Sequence, residues 1–153
     1  MKVFLDTNVL LEYLMRREQV DIVERLIGCL QRAGDEMYMS AGGFYSILYV
    51  MDNYFRKELE IKNPERTAAI RAIAKQLLSN FRVAEHSNDS LLDGVCNETF
   101  VDLEDGCQYH VALKTECEYL LTFNIKHYPV GTHNINVLTP SEFMSFRLAD
   151  GGC

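Results

Sequence analysis

Short, mostly apolar runs alternate with stretches of helical periodicity along the whole chain. The runs have the length of buried strands and lie at positions 3–5, 37–39, 81–83, 119–121 and 137–138. Between them, apolar residues recur every three or four positions, which is the spacing of a helix with one buried face. Strands that alternate with helices form a parallel sheet joined by right-handed crossovers. The pattern therefore predicts an α/β fold in which helices cover both faces of a sheet of about five strands.

The predicted helices have recognisable ends. Gly34 is placed to end the helix that begins near Val20, and Ser40 is a suitable N-cap for the long helix after the second strand. Gly42 and Gly43 occupy the first turn of that long helix, where a missing side chain permits close approach by another segment. We therefore expect the start of this helix to pack closely against another part of the fold.

The length and composition of the chain predict the number of domains and the location of the protein. The chain has 153 residues, of which 48% are hydrophobic and 24% are charged, as in an ordinary globular domain. We expect a single domain over residues 1–148 and a flexible tail over residues 149–153. No apolar run is long enough for a signal peptide or a membrane span, so we expect a cytoplasmic protein with no membrane partner.

The five cysteines are odd in number and widely spaced, and no two of them form a C-x-x-C pair. This spacing argues against a disulfide framework and against a zinc ribbon. We therefore expect reduced thiols.

Charge is distributed unevenly along the chain. The net charge is −7 at pH 7, which argues against binding of nucleic acid by bulk attraction. Lysine and arginine nevertheless dominate residues 56–82, and aspartate and glutamate dominate residues 85–118. A basic region beside an acidic centre suits a polyanion held against a metal ion, and it equally suits two solvated helix faces. Charge alone leaves both interpretations open.

Asp6 directly follows the first predicted strand and precedes a helix. The carboxyl ends of parallel strands are where α/β proteins gather ligands and catalytic groups. Asp6 is also well suited to cap the following helix, since a carboxylate accepts hydrogen bonds from free N–H groups. This stretch alone does not separate a functional acid from a cap.

A second group of acids stands at the start of a later helix. Asp102 and Asp105 are three residues apart and lie on one helical face, whereas Glu104 points elsewhere. Clustered carboxylates repel one another unless a cation joins them, and Mg²⁺ or Mn²⁺ prefers oxygen ligands. The alternative is a capped helix whose acids are favoured by the helix dipole.

Polar residues also follow the fourth strand, where Thr122 and Asn124 succeed its apolar run. If the first and fourth strands are neighbours, these groups converge with Asp6 on one rim of the sheet. Three separate segments that deliver oxygen atoms to one rim indicate a shared site more strongly than any one of them.

Four segments of the chain carry a resemblance to a known family. They are VFLDTNVLLEYL, MSAGGFYSILYVMDNYFRKE, DLEDGCQYHVALKTECEYLLTFNIKHY and VLTPSEF. Their order and spacing resemble the PIN domain, the nuclease module of VapC-type toxins in bacterial toxin–antitoxin pairs. The resemblance spans nearly the whole chain and implies a three-layer α/β/α sandwich with a central, mostly parallel sheet. It also implies a cluster of acids that binds Mg²⁺ or Mn²⁺ and activates water to cleave RNA.

The resemblance implies a set of site residues by position. Asp6 matches the first acid of the family, and Asp105 matches its principal acid on the later helix. The implied catalytic residues are Asp6, Asp105 and Asp102. The implied metal ligands are Asp6, Asp105 and Asn124. The implied activity is that of a Mg²⁺- or Mn²⁺-dependent endoribonuclease, the toxin component of a toxin–antitoxin pair.

Further residues surround this implied site. Those that could complete or orient the metal ligands are Asn8, Glu104 and Thr122. The candidates for contact with the RNA substrate are Lys126 and His127.

The chain departs from the family at three positions where an acid is usual. These positions carry Ser46, Asn124 and His127. Fewer anionic ligands weaken the affinity for Mg²⁺, so a catalytically degenerate PIN fold that binds RNA or a protein is the second interpretation. The tyrosine-rich middle helix and the T-x-N ending resemble a variant lineage of PIN-like proteins.

The middle helix carries more aromatic side chains than one buried stripe requires. These are Phe44, Tyr45, Tyr49, Tyr54 and Phe55. Contact with a small antitoxin protein, a homodimer contact and burial in the core are the three alternatives for this helix.

Overall fold

The computed structural model of the protein describes residues 1–129, 134–149 and 151. Five short strands form one sheet in which every pairing is parallel, with the order β3-β2-β1-β4-β5. The strands are β1 (Lys2–Leu5), β2 (Glu36–Ser40), β3 (Arg82–Ala84), β4 (Tyr119–Leu121) and β5 (Asn136–Leu138). The predicted α/β fold with a five-stranded parallel sheet is confirmed.

Seven helices lie within the described residues. They are α1 (Thr7–Leu14), α2 (Val20–Ala33), α3 (Ala41–Lys57), α4 (Glu65–Asn80), α5 (Asn88–Cys96), α6 (Leu103–Lys114) and α7 (Pro140–Ala149). A single 3₁₀ turn, Ile125–His127, follows β4. None of the described helices is long and apolar enough to cross a membrane.

The central strand β1 separates two hydrophobic cores. Its successive side chains point to opposite faces of the sheet, because strand residues alternate with a period of two. Val3 and Leu5 belong to the core formed with α1, α2, α3, α4 and α7. Phe4 belongs to a second core, where it packs with Val111 and Ala112 of α6. Two cores on opposite faces of one sheet make the three-layer α/β/α sandwich that the sequence predicts.

The start of α3 is pressed against the start of α1. Ser40 caps α3 by accepting a hydrogen bond from the backbone N–H of Gly43 at 2.8 Å. A Cβ atom built on Gly43 would lie only 2.6 Å from the Oγ1 atom of Thr7. The predicted close approach is thereby confirmed, and it fixes α3 beside the residue that follows Asp6.

Helix α6 is held equally closely by α5. A Cβ atom on Gly94 would lie 2.6 Å from the Cα atom of Cys107, so α6 can occupy its position only because residue 94 has no side chain. The acids at the start of α6 are therefore carried by a helix whose position is fixed by backbone packing.

The aromatic residues of α3 divide between two environments. Phe44, Tyr54 and Phe55 are partly buried and pack against the larger core. Tyr45 and Tyr49 have exposed fractions of 70% and 72%. Burial therefore accounts for three of the five aromatic side chains, and a surface role is left for two.

Two further expectations concern cysteines and the chain end. Cys29 is disulfide-bonded, so the prediction of reduced thiols is wrong for this residue, whereas Cys96, Cys107 and Cys117 are free. The predicted flexible tail over residues 149–153 falls mostly outside the described residues.

Candidate active site

Strands β1 and β4 are neighbours, and their polar continuations meet at the carboxyl edge of the sheet. Leu5 is paired with Leu121, so Asp6 and Thr122 follow at the same level. The backbone N–H of Asp6 donates to the carbonyl oxygen of Leu121 at 3.0 Å. The convergence that the sequence predicts for these two segments is therefore present.

The Asp6 carboxylate is the centre of a buried hydrogen-bond network. Its side chain is 2% exposed. Its Oδ2 atom accepts hydrogen bonds from Asn8 Nδ2 at 2.6 Å and from Thr122 Oγ1 at 2.7 Å. Its Oδ1 atom accepts a third hydrogen bond from Gln108 Nε2 at 3.2 Å. Asp6 occupies the N-cap position of α1 but makes no side-chain capping hydrogen bond, so the carboxylate serves the network.

Asn8 and Thr122 hold each other as well as Asp6. Asn8 donates to the Thr122 hydroxyl at 3.0 Å and accepts from the backbone N–H of Phe123 at 3.1 Å. The Thr122 hydroxyl also accepts from the backbone N–H of Asn124 at 3.0 Å. These bonds fix the orientation of the Asp6 carboxylate from two sides.

Burial makes Asp6 a weaker acid than an ordinary aspartate. Removal from water disfavours the charged carboxylate and, together with the nearby charge of Asp105, raises the pKa of Asp6 to about 6. The hydrogen bonds from Thr122 and Gln108 oppose this shift in pKa. The influence of Asp105 on the pKa of Asp6 shows that the two acids belong to one electrostatic environment.

Asp102 and Asp105 have different positions on α6. Asp102 is the N-cap, and its Oδ1 atom accepts hydrogen bonds from the backbone N–H groups of Glu104 and Asp105 at 2.9 and 3.3 Å. Asp102 therefore caps α6 through Oδ1, which leaves its other carboxylate oxygen without a hydrogen bond among the described residues. Asp105 is 7% exposed, and its Oδ2 atom lies 2.8 Å from Nδ1 of His127. Burial raises the pKa of Asp105, the hydrogen bond with His127 lowers it, and the charge of Asp102 raises it.

Three side chains at this edge have the arrangement of a metal-binding group. Ligand atoms of Asp102, Asp105 and His127 all lie within 4.8 Å of one another. Two carboxylates and an imidazole are suitable donors for a divalent cation.

A buried hydroxyl belongs to Tyr128, the residue directly after His127. Tyr128 is 4% exposed, and its hydroxyl has no hydrogen-bond partner among the described residues. Burial raises the pKa of this hydroxyl, and the charges of Asp6 and Asp105 raise it further. Buried polar atoms are normally hydrogen-bonded, so an unpartnered hydroxyl on the residue next to His127 is consistent with a site that binds a ligand.

The remaining predicted residues occupy the margin of this edge. Asn124, Lys126 and Glu104 have exposed side chains. Partial loss of water around the Glu104 carboxyl group and the nearby charges of Asp102 and Asp105 raise its pKa. Ser46 is half-buried on α3, three residues after Gly43. The structure therefore places these side chains outside the buried network.

Two residues of the site, Gln108 and Tyr128, were not predicted from the sequence. Gln108 lies one turn after Asp105 on α6, and that spacing is the single signal that could have identified it. Tyr128 follows a polar stretch, and no periodic pattern marks it as buried. Both residues are recognisable once α6 and the 3₁₀ turn are placed beside Asp6.

The fold and the site define a class of protein before any comparison. It is a parallel α/β/α protein with one buried acid, Asp6, directly after its central strand and another, Asp105, on helix α6. Residues 2–126 match the PIN domain family, so the chain belongs to that family. No sequence among the curated proteins matches the chain.

Two solved structures have a similar fold. VapBC-1 from nontypeable Haemophilus influenzae matches with a TM-score of 0.62 and 16% identity, over 92% of this chain and 99% of the other. VapBC2 from Rickettsia felis, bound to a DNA fragment from its promoter, matches with a TM-score of 0.65 and 16% identity. The match covers 91% of this chain and 98% of the other. At this level of identity the two comparisons show a shared fold.

Proposed function

We propose that the protein is a metal-dependent endoribonuclease, the toxin component of a bacterial toxin–antitoxin pair, acting in the cytoplasm. The observation that carries the proposal is the placement of two buried acids from separate elements, Asp6 after β1 and Asp105 on α6, with Gln108 of the same helix donating a hydrogen bond to Asp6. The chain belongs to the PIN domain family, and the PIN domain is a nuclease module, so membership of the family supports the same activity.

The donor set fits a divalent cation. In this proposal Asp6, Asp105 and Asn124 hold Mg²⁺ or Mn²⁺. The Oδ1 atom of Asp6 accepts a single hydrogen bond among the described residues and retains a lone pair for a cation. When bound, such an ion lowers the pKa of a coordinated water and offsets the charge that develops on the scissile phosphate.

The surrounding side chains keep these ligands in place. Asn8, Thr122 and Gln108 fix the Asp6 carboxylate through three hydrogen bonds, so it cannot rotate freely. His127 restrains Asp105 through its contact at 2.8 Å. Pre-orientation of this kind is what outer residues contribute at metal sites.

The exposed 3₁₀ turn beside the site is suited to contact RNA. Lys126 carries an exposed positive charge on this turn, directly before His127. A lysine at this position attracts the phosphate backbone irrespective of base sequence. The chain as a whole repels RNA because its net charge is −7, and Lys126 supplies a local positive charge beside the acids.

A protein partner is part of the proposal. The solved structures of similar fold are VapBC assemblies. We therefore propose a small antitoxin protein as partner, with a homodimer as the alternative occupant of the Tyr45 and Tyr49 surface. A gene for a small DNA-binding protein directly upstream would support the antitoxin.

A second function is favoured by the missing acids. Ser46, Asn124 and His127 stand where the family usually carries carboxylates. A PIN fold with reduced affinity for metal would bind RNA or a protein without cleaving it.

Cleavage of structured RNAs in the presence of Mg²⁺ or Mn²⁺ separates these two functions. We expect the purified chain to cleave RNA, and we expect Asp6→Asn and Asp105→Asn to lose that activity. Asp21→Asn, which removes an exposed acid from the first turn of α2, is the matched control and should cleave as the unmodified chain does. Unchanged cleavage by both site variants would contradict the nuclease assignment.

A further inference from the structure

The metal-binding group on α6 contains a nitrogen ligand. Asp102, Asp105 and His127 bring their ligand atoms within 4.8 Å of one another. We infer that this cluster binds a first-row transition-metal ion, of the Mn²⁺, Co²⁺ or Zn²⁺ class, in preference to Mg²⁺. The inference rests on the proposed function for the presence of a metal ion, since the cluster shares Asp105 with the ligand set given above.

Each of the three side chains can present a ligand atom. Asp105 is held by burial and by its contact with His127 Nδ1 at 2.8 Å. Asp102 uses Oδ1 to cap α6, and its other carboxylate oxygen accepts no hydrogen bond from the described residues. The side chain of His127 is 37% exposed, so an ion can reach the imidazole from solvent.

The chemistry of the donors decides which ion is favoured. Mg²⁺ is a hard cation that prefers oxygen ligands, retains several waters and demands near-ideal octahedral geometry. Imidazole nitrogen suits Zn²⁺, Fe²⁺, Ni²⁺ and Cu²⁺, and affinity for nitrogen and oxygen sites rises from Mn²⁺ towards Cu²⁺. A histidine beside two carboxylates therefore gains affinity for transition metals and gives up an oxygen ligand of the kind that Mg²⁺ prefers.

The hydroxyl of Tyr128 provides a second observation that points to a ligand. It is 4% exposed and unpartnered among the described residues, and it lies close enough to Asp102, Asp105 and Asp6 for their charges to act on it. A buried hydroxyl in this position can donate a hydrogen bond to an oxygen atom of a metal complex. A simple salt bridge between His127 and Asp105 leaves this hydroxyl unexplained.

The test is a metal-binding measurement on the whole chain without RNA. Free Mn²⁺ has a strong electron paramagnetic resonance signal that is lost on binding, so a titration gives the dissociation constant for Mn²⁺, and competition gives that for Mg²⁺. We expect Mn²⁺ to bind more tightly by roughly 10-fold or more, the scale on which even outer residues alter metal affinity. Spin-echo modulation of the bound Mn²⁺ should show coupling to an imidazole nitrogen.

Substitutions of His127 test the cause of the preference. His127→Asp restores an oxygen ligand, and we expect it to bring the ratio of the Mg²⁺ and Mn²⁺ dissociation constants close to one and to abolish the nitrogen coupling. His127→Gln should weaken Mn²⁺ binding and abolish the coupling as well. Asp21→Asn is the control and should retain both the preference and the coupling. Circular dichroism of the metal-free variants confirms that each of them is folded.

The results separate the inference from the proposed function. Equal affinities for the two ions, or the absence of nitrogen coupling in the unmodified chain, would overturn the inference whether or not RNA is cleaved. Tight Mn²⁺ binding with nitrogen coupling in a chain that cleaves no RNA would uphold the inference and would count against the nuclease.

Discussion

The Nδ1 atom of His127 lies 2.8 Å from the Oδ2 atom of Asp105, beside the edge of the sheet where Asp6 is buried. The two residues are 22 positions apart and belong to the 3₁₀ turn and to α6. Their contact gives one of the two buried acids a partner that can carry positive charge. Asp6 has no such partner among the described residues and relies on neutral donors. The two acids therefore respond differently to a change of pH and to a bound cation.

The first prediction concerns the pH dependence of stability. The pKa of Asp6 is about 6 in the folded chain, above its value near 3.9 in an unfolded chain. A raised pKa means that the contribution of Asp6 is fully present below the unfolded pKa and is lost as pH rises through the folded pKa. We expect the free energy of unfolding to fall by roughly 2–3 kcal/mol between pH 4 and pH 7 through this group.

Urea unfolding of the metal-free chain at a series of pH values measures this effect. The matched variant is Asp6→Asn, which cannot titrate, so its stability should lack this component of the pH dependence. The difference between the two curves isolates Asp6 from the other acids of the chain. If the free energies of unfolding of the two proteins changed in parallel with pH, ionisation of Asp6 would not destabilise the fold, and the prediction would be wrong.

The second prediction concerns the Thr122 hydroxyl. It donates to Asp6 and accepts from Asn8 and from the backbone of Asn124, so three hydrogen bonds depend on one oxygen atom. Thr122→Val removes that oxygen at nearly constant volume. We expect metal affinity to fall by roughly 10- to 100-fold and stability to fall by about 1–3 kcal/mol because buried donors lose their acceptor.

Isothermal titration with Mn²⁺ and urea unfolding measure the two effects of this substitution. Thr122→Ser keeps the hydroxyl and is the rescue variant, so it should recover most of the metal affinity. If the Thr122→Val and Thr122→Ser variants bound Mn²⁺ equally well, the hydroxyl would have no part in orienting Asp6.

The elements of the fold were predictable because their signals are local. The apolar run before Asp6 and the helical spacing after Ser40 each predict an element without reference to the rest of the chain. Gly43 is a similar case, since a glycine in the first turn of a helix indicates close packing. The order of the strands was not predicted, and the sequence left the pairing of β1 with β4 as a condition that the structure meets.

The composition of the site was less predictable because it depends on contacts between distant segments. Gln108 and Tyr128 carry no pattern of their own and become part of the site through tertiary packing. His127 was expected to contact RNA, and its proximity to Asp105 depends on how the 3₁₀ turn follows β4. Asp6 was identified only because polar residues also follow the fourth strand and because the family resemblance includes it, since its own stretch fits a helix cap equally well.

The third prediction concerns the exposed aromatic pair on α3. Tyr45 and Tyr49 are one turn apart and mostly exposed, so neither stabilises the fold through burial. We expect Tyr45→Ser with Tyr49→Ser to change the free energy of unfolding by no more than about 0.5 kcal/mol for each substitution. We expect the same double variant to lose association with a partner protein or a second copy of the chain.

Size-exclusion chromatography with light scattering measures association, and urea unfolding measures stability. Phe44→Ser is the contrasting variant because Phe44 packs against the core, and it should lose stability. A chain that is a strict monomer before and after substitution would contradict the homodimer, and unchanged antitoxin binding would contradict the use of this surface by that partner.

The fourth prediction compares two adjacent glycines in the first turn of α3. A Cβ atom on Gly43 would lie 2.6 Å from Thr7 Oγ1 and 3.0 Å from Ser40 Oγ. Thr7 is β-branched and therefore stiff at χ1, so its hydroxyl does not move away freely. Gly43→Ala should therefore destabilise the fold by about 1–3 kcal/mol through overpacking.

Gly42→Ala is the matched control for this prediction. A Cβ atom on Gly42 meets Ser40 Oγ at 3.9 Å, which is an ordinary contact, and residue 42 is exposed. Since alanine is favoured over glycine in a helix by roughly 0.5–1 kcal/mol, this substitution should stabilise the chain slightly. Thermal unfolding of the two variants should therefore shift in opposite directions. Because Thr7 lies next to Asp6 in the chain, displacement of Thr7 by Gly43→Ala should also weaken Mn²⁺ binding, whereas Gly42→Ala should leave it unchanged.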